Sequence, residues 1–599
     1  MAPIGPTPKK EKPKPLQQQP IIPEPVAEPI QTTAIVVIHP GSTNLRMGRA
    51  SDTIPITIPH IIARRHKSIG QTVQEDYTIL RYETNHSECD QQMESGLRKV
   101  QQAIWTRQMS SGHRRLPTPP EQVSAYNSTV IPQRLDDNSG LKWTDTQHLP
   151  DTVVGEEALY ISPEDCYNFH RPFRCGGLNL HQGIGGSLSV VMQDLEVIWK
   201  TAIERHLEIP IKDLRHYRAI LLIPDIYHRP HVKELMNLLL NRLGFGAAIV
   251  IQESVCATFG AGLQSACVVD VGDQKTSISC VEDGLSHRNT RIRLSYGGSD
   301  ISRCFAWLLS RVYFPYKECD LASRMDALLM QELKESFCHL DQDIYGAQLH
   351  EFHIRQPHKP TVLYQIKLGD EGLQAPMAIF YPQTCGLVGK ILIHTQQRNQ
   401  GDPEDPHDET YLLQTQSRET NKPKSGANTD TTSQTQEGNG GAADEKAKAP
   451  EKVTEERETE EPEPQISSSM SKRMASTDFN DRLPGLDEAI LHSISCCSSD
   501  ETKKKMYATI LVVGGGLLFQ GAQETLHYRV VCGIPQHFRH QVESVEVLCK
   551  SKDLDPRLTC WKGGAVLSCL DTSQELWIRQ REWRQFGLKV LRERSPFVW

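Results

Sequence analysis

Apolar and polar positions in this chain repeat one arrangement three times. Residues 35–48 run apolar, break at Gly41, Ser42 and Thr43, and turn apolar again. Residues 266–284 do the same around Asp270, Gly272 and Asp273, and residues 509–521 run apolar into Gly514, Gly515 and Gly516. Each pattern predicts a β-branched strand entering a tight glycine turn. Gly272 is expected to supply a positive φ at its turn. Between these hairpins the period changes. Leu195, Ile198, Trp199, Ala202 and Ile203 recur at three and four, which predicts an amphipathic helix over 192–207. Residues 219–223 read as a buried strand ended by Pro224, 232–243 as a helix, and 249–251 as a strand leading to Gln252 and Glu253. Further helices are expected near 96–108, from Gly297 and Gly298 with Asp300 in the first turn, and over 330–340. Strands alternating with helices place the chain in the α/β class.

Composition changes this picture at three places. Residues 1–33 are rich in Pro, Gln and Lys and lack an apolar core, so a disordered tail is expected and no secretory signal. Lys9, Lys10, Lys12 and Lys14 read either as a solvated tail or as a weak nuclear address. Residues 66–152 mix polar, Gly and Pro stretches. Residues 397–478 are acidic and polar, almost without aromatics, and read as a disordered insertion that can loop out at little cost. The net charge of −8 argues against a generally basic nucleic-acid coat. Local basic clusters remain at Arg64-Arg65-His66-Lys67, Arg114-Arg115 and Lys503-Lys504-Lys505. The 16 cysteines contain no C-x-x-C pair, and Cys496 and Cys497 are adjacent. They read as reduced, mostly buried thiols of a reducing compartment. No run approaches the ~18 apolar residues of a membrane span, so no membrane partner is expected.

A D-x-G-D turn alone is an ordinary hairpin. Three strand-to-glycine turns together suggest one nucleotide held between two lobes, with backbone N–H groups around its phosphates. Asp270 is the carboxylate suited to a hydrated Mg²⁺, through the water shell.

The carboxyl end carries a family resemblance. Trp561-Lys-Gly-Gly-Ala565, then Leu570 to Ile578 (LDTSQELWI), then Gln580 to Gly587 (QREWRQFG), resembles the end of the actin fold. The likeness covers 34–65, 153–385 and 484–599, and is to actin and the actin-related proteins, above all the nuclear ones. It implies a bilobed actin-like ATPase-domain fold: two related mixed-sheet lobes around a nucleotide cleft. One domain then spans 34–599, with 66–152 in place of a mobile small subdomain and 397–478 as an insertion.

Carried over by motif position, the resemblance implies ATP held by Gly41, Ser42, Thr43 and Arg46 on the first loop. Asp270, Gly272 and Asp273 follow on the second, and Gly298 in the hinge region. Lys334 and Glu335 would border adenine and ribose, with Gly514, Gly515, Gly516 and Arg557 on the adenosine side. Asp270 would hold Mg²⁺ through water. Three departures stand out. His39 replaces a metal-facing carboxylate, which weakens Mg²⁺. Gln274 replaces a glycine and is expected to crowd the phosphates. Glu253 falls at the water-positioning place, where a nearby γ-phosphate would raise its pKa.

The resemblance therefore implies ATP binding with little hydrolysis, and a non-enzymatic nuclear scaffold subunit of an Ino-eighty type chromatin remodeller. Its implied partners are the motor ATPase's helical segment, nuclear actin, another actin-related protein, histones and the nucleosome, and DNA without sequence preference. Its implied processes are transcription regulation, DNA repair and recombination. Acidic 401–410 and 454–464 suit basic histone surface. The alternatives are an active actin-like ATPase and a filament-forming cytoskeletal protein.

Overall fold

The structure, a computed structural model, describes residues 31–66, 75–79, 86–135, 141–148, 150–387, 389, 392–395, 482–549 and 555–597. The tail 1–30, the insertion 397–478 and Lys67 lie outside the described residues.

Each lobe is built on one mixed sheet. The first has six strands in the order Ile578–Arg579, Ala247–Gln252, Arg218–Ile223, Ile35–Pro40, Asn44–Arg49, Ile56–Pro59. The second runs Ile393–Thr395, Ile292–Leu294, Thr276–Glu282, Ser265–Val271, Thr509–Val513, Glu546–Leu548, with Leu285–Ser286 beside Thr276–Glu282. In both, a central strand pairs antiparallel with its hairpin partner and parallel with its other neighbour. The two hairpins are the two expected phosphate loops, and the shared build is the expected relation between lobes.

The helical stripe behaves as its spacing predicts. Helix Leu188–His206 buries Leu195, Ile198, Trp199, Ala202 and Ile203 on the first sheet. The helix expected over 232–243 divides into Arg229–Asn237 and a wider π turn, Leu238–Leu243, closed by Gly244 in the left-handed region. The one expected over 330–340 begins earlier, at Arg324, and ends at Phe337.

A separate core joins the lobes. Val37, Ile220 and Ile249 from the first sheet meet Val268, Leu511 and Val513 from the second across helices Glu253–Ala261 and Thr559–Ser568. Trp561 is fully buried there, and its indole N–H donates to the Val37 carbonyl at 3.1 Å. The helices cross at backbone contact. A Cβ on Gly563 would lie 1.7 Å from the Cys256 carbonyl oxygen, and one on Gly260 2.1 Å from that of Thr559. Only glycine fits such a crossing.

The described residues of segment 66–152, which stands in place of a mobile small subdomain, reach from one lobe to the other. Helix His86–Thr106 leaves the first lobe and sets Leu97, Val100 and Ile104 into the core of the second. Helix Pro120–Asn127 follows, and strand Gln133–Leu135 pairs with Thr361–Leu368. The chain then returns, and Thr152–Val154 pairs with Ile62–Arg65 of the first lobe. A helix was expected near 96–108; the observed one begins earlier, at His86, and its docking on the opposite lobe was not foreseen. The segment is thus a strap between lobes, riveted by Arg115, whose Nη2 donates to Asp370 at 2.8 Å.

Candidate functional site

The three glycine turns converge. Gly298 N–H donates to the Gly272 carbonyl at 3.0 Å, and Gly516 N–H to that of Val271 at 2.7 Å. Thr43 Oγ1 donates to Asp273 Oδ2 at 2.8 Å and so ties the first lobe's turn to the second's. A Cβ on Gly298 would stand 3.5 Å from each of Asp273 Oδ1, the Gly516 Cα and Lys334 Nζ. Lys334 is buried and donates to the Gly298 carbonyl at 2.9 Å. Gly41, Ser42 and Thr43 form the hairpin turn, closed by Gly41 N–H to the Asn44 carbonyl at 2.9 Å.

The glycines divide by role. Gly514 adopts φ +89, where a Cβ would strike the Val271 carbonyl at 2.3 Å. Gly272 is not among the positive-φ glycines, contrary to the sequence expectation. Its turn closes through its own N–H to the Lys275 carbonyl at 2.8 Å, which needs no left-handed residue. Arg557 lies against Gly515 and is held by Asp555, whose Oδ2 accepts from Nε at 2.9 Å. Glu335 is exposed, bonded to Gln331 at 2.9 Å. It opens onto a cavity of about 510 Å³ that is also lined by Tyr160 and Pro163 of the first lobe and by Tyr316 and His353 of the second. Lys334 and Glu335 therefore part company: one faces the glycine turns, the other the cleft mouth.

Arg46 sits opposite His39 in the hairpin register. Its Nε is buried without a hydrogen-bond partner. Burial lowers its pKa, while Cys560 and Asp270 work to raise it. A buried guanidinium with an unused donor beside a glycine turn is suited to an anion.

Beneath the turns lies a charge cluster that sequence reading missed. Lys275 Nζ is within direct ion-pair contact of Glu253 Oε2 and 3.3 Å from Asp270 Oδ2. His39 Nε2 lies 3.2 Å from Glu253 Oε1. Both carboxylate oxygens of Glu253 are thus engaged. Burial alone would raise its carboxyl, but Lys275 and His39 outweigh that and hold it at about 2. Without a nucleotide the lysine and the imidazole set the shift downward; the upward push expected from a γ-phosphate belongs to the ATP-bound state. Burial raises Asp270 against the pull of Lys275. Burial would lower Lys275, but Glu253 and Asp270 raise it, so it stays protonated. Gln252 turns away, with Nε2 donating to the Asp225 carbonyl at 3.2 Å. Glu253, not its neighbour, is the residue that faces the turns. Gln274 is buried, with Oε1 lacking a partner.

These groups do not fit a hydrated divalent cation. The acceptors on Glu253 and Asp270 already face an ammonium, and His39 brings an imidazole where an oxygen would be needed. Among the described residues, no group of three or more His, Cys, Asp or Glu is arranged to hold a metal ion.

The basic clusters divide between buried ties and surface ion pairs. Arg115 is buried, on Asp370 and the Gln342 carbonyl, which removes it as a DNA contact. Arg64 Nε donates to buried Asp194 at 2.6 Å, Lys503 pairs with Asp500 at 3.2 Å, and Lys505 with Glu282 at 2.8 Å. Cys496 caps helix Leu486–Ser495, with Cys497 buried beside it.

Comparison with known proteins agrees with this architecture. The Actin family model matches residues 30–596. Actin-related protein 8 of Bos taurus is 56% identical over 582 residues, covering 95% of this chain and 93% of the relative. The human protein of that name is 54% identical over the same shares, and that of Aedes aegypti 42% identical over 96% of this chain and 99% of its own. The solved structure of human actin-related protein Arp8 in its ATP-bound state superposes with a TM-score of 0.80 at 52% identity. It covers 97% of this chain and 100% of the human one.

Proposed function

The chain belongs to the actin family, in its actin-related protein 8 branch, and from that premise we propose that it holds ATP as a structural ligand with little turnover. Its role is that of a nuclear scaffold subunit of a chromatin-remodelling complex, joined to a motor ATPase, actin and a second actin-related protein, and engaging nucleosomes. The ATP assignment rests on the converging glycine turns, the buried Nε of Arg46, the buried Lys334, and the ATP-bound state of the human relative.

The observation that carries the low turnover is the state of Glu253. An effective general base has a pKa near the working pH and a free oxygen toward the water it activates. Glu253 is held at about 2, with both oxygens on His39 and Lys275. Phosphoryl transfer to water then lacks a positioned base. The complex and its partners rest on kinship with the family, and the scaffold reading agrees with a strap that leaves 66–152 unlike a mobile subdomain.

The test is the nucleotide released when freshly purified protein is denatured and chromatographed. Close to stoichiometric intact ATP after prolonged incubation supports the reading. ADP as the main product shows turnover and overturns it.

A further inference from the structure

We propose that the Lys275 ammonium is the resident cation of this nucleotide site, a tethered positive charge in the place of a divalent ion, so that ATP is bound without metal. The inference rests on the ATP reading above and goes beyond it to the chemistry of the ligand: free nucleotide rather than its magnesium complex.

Three observations carry it. The first is position. Lys275 Nζ contacts Glu253 Oε2 and stands 3.3 Å from Asp270 Oδ2, so it lies between the two acidic groups of the cleft floor. A hydrated cation drawn to those groups would have to displace it. The displaced ammonium would be buried and unpaired, which costs several kcal/mol. The second is fixation. The lysine stem is walled in: a Cβ on Gly176 would lie 3.0 Å from Lys275 Cδ and 3.2 Å from Pro224 Cγ. Its own carbonyl closes the Gly272 turn at 2.8 Å, so the side chain springs from the phosphate loop itself. The third is charge balance. Asp270 and Glu253 bring two negative charges, Lys275 and the nearby Arg46 two positive ones. Each of these two carboxylates already faces a cation, so neither stands free for a divalent ion.

The departures at His39 and Glu253 make sense beside Lys275. His39 removes a carboxylate from one side of the cleft, and Glu253 adds one on the other, within 3.2 Å of His39 Nε2. Lys275 occupies the gap between.

The test measures ATP affinity of nucleotide-stripped, full-length protein by calorimetry, in excess EDTA and in excess Mg²⁺. Wild type is expected to bind equally in both, within about threefold. Lys275→Met is expected to lose about tenfold to a hundredfold in EDTA, the worth of one charge-assisted hydrogen bond. It should regain part of that in Mg²⁺, because Asp270 and Glu253 are uncovered. Lys275→Met/Glu253→Gln, which removes one charge of each sign, keeps the floor balanced and serves where the single variant does not fold. Loss of wild-type binding in EDTA, or an unchanged EDTA affinity in both variants, overturns the proposal. Failure of wild type to bind in either buffer overturns the ATP reading itself, and is distinguished by the absence of any heat with Mg²⁺.

Discussion

Replacing Glu253 with Gln isolates the charge cluster beneath the glycine turns. The substitution keeps size and one acceptor for Lys275 but removes the negative charge. A carboxyl held at about 2 instead of 4.5 contributes about 3 kcal/mol of stability at neutral pH. Glu253 is buried, so solvent screening does not reduce this much. The remaining amide contact to Lys275, and relief of Asp270 from its neighbour's charge, return part of it, leaving a loss of about 2 kcal/mol. Near the melting temperature of a chain this large that is a fall of about 2 °C. The sign of the pH dependence follows. The folded-state pKa is depressed, so the contribution is complete above the unfolded value of 4.5. It drains away as pH falls from there toward 2, and about a quarter is gone at pH 4. Melting curves of nucleotide-stripped wild type and Glu253→Gln at pH 7.5 and pH 4 measure both quantities. The same variant, loaded with ATP, is expected to hydrolyse within about threefold of the wild-type rate, whereas loss of a working general base costs 10²–10⁴-fold. Equal melting at pH 7.5, or a hundredfold loss of hydrolysis, would refute the account of Glu253 as a residue spent on charge balance.

Two other substitutions probe the frame around the site. Gly563→Ala puts a Cβ 1.7 Å from the Cys256 carbonyl and must push two helices apart. Its cost should exceed the ~1–3 kcal/mol of ordinary overpacking, read as soluble yield and melting temperature beside the mild Ala565→Gly control. Arg115→Ala leaves Asp370 buried without its guanidinium, a loss of about 3–5 kcal/mol. The strap should become the first site of limited proteolysis, with cleavage inside 107–135; an unchanged cleavage pattern would show that Arg115 does not rivet it.

The strand-to-glycine turns were legible because their chemistry is local: an apolar run and a glycine specify a hairpin whatever lies around it. The stripe from Leu195 to Ile203 was legible for the same reason. Lys275 was not, because a lysine two residues after a D-x-G-D turn looks like any polar residue opening a strand. The clue lay in two departures, His39 and Glu253, and in Lys275, which only the folded register brings together. Arg114-Arg115 read as a surface cluster because a run of charge does not disclose a partner 255 positions away. Gly272 was assigned a positive φ on its residue type, whereas the turn's closure by the Lys275 carbonyl makes that unnecessary.

The lobes are held by ties of different kinds, and this bears on how the cleft behaves. The glycine crossing of helices Glu253–Ala261 and Thr559–Ser568 is a shared floor, with backbone against backbone. Thr43 and Asp273 close the phosphate turns over it. At the mouth, Arg324 of the second lobe donates to the Leu159 carbonyl at 3.0 Å and the Ile161 carbonyl at 2.8 Å. Its guanidinium carbon lies 3.6 Å from the centre of the Phe169 ring, which packs with Ile161 in a small core of the first lobe. Arg115 in turn fastens the strap to the second lobe through Asp370. Hinge opening would have to break Thr43–Asp273 and the Arg324 contacts together, and would leave Arg324, now buried, without its acceptors. Such contacts to a charged group contribute about 1.5–3 kcal/mol each, so the closed form outweighs the open one even before a nucleotide adds to it. A ligand shifts a conformational balance only by its differential affinity, and here little balance is left to shift. An actin-like cleft so closed is better suited to retaining ATP than to cycling it.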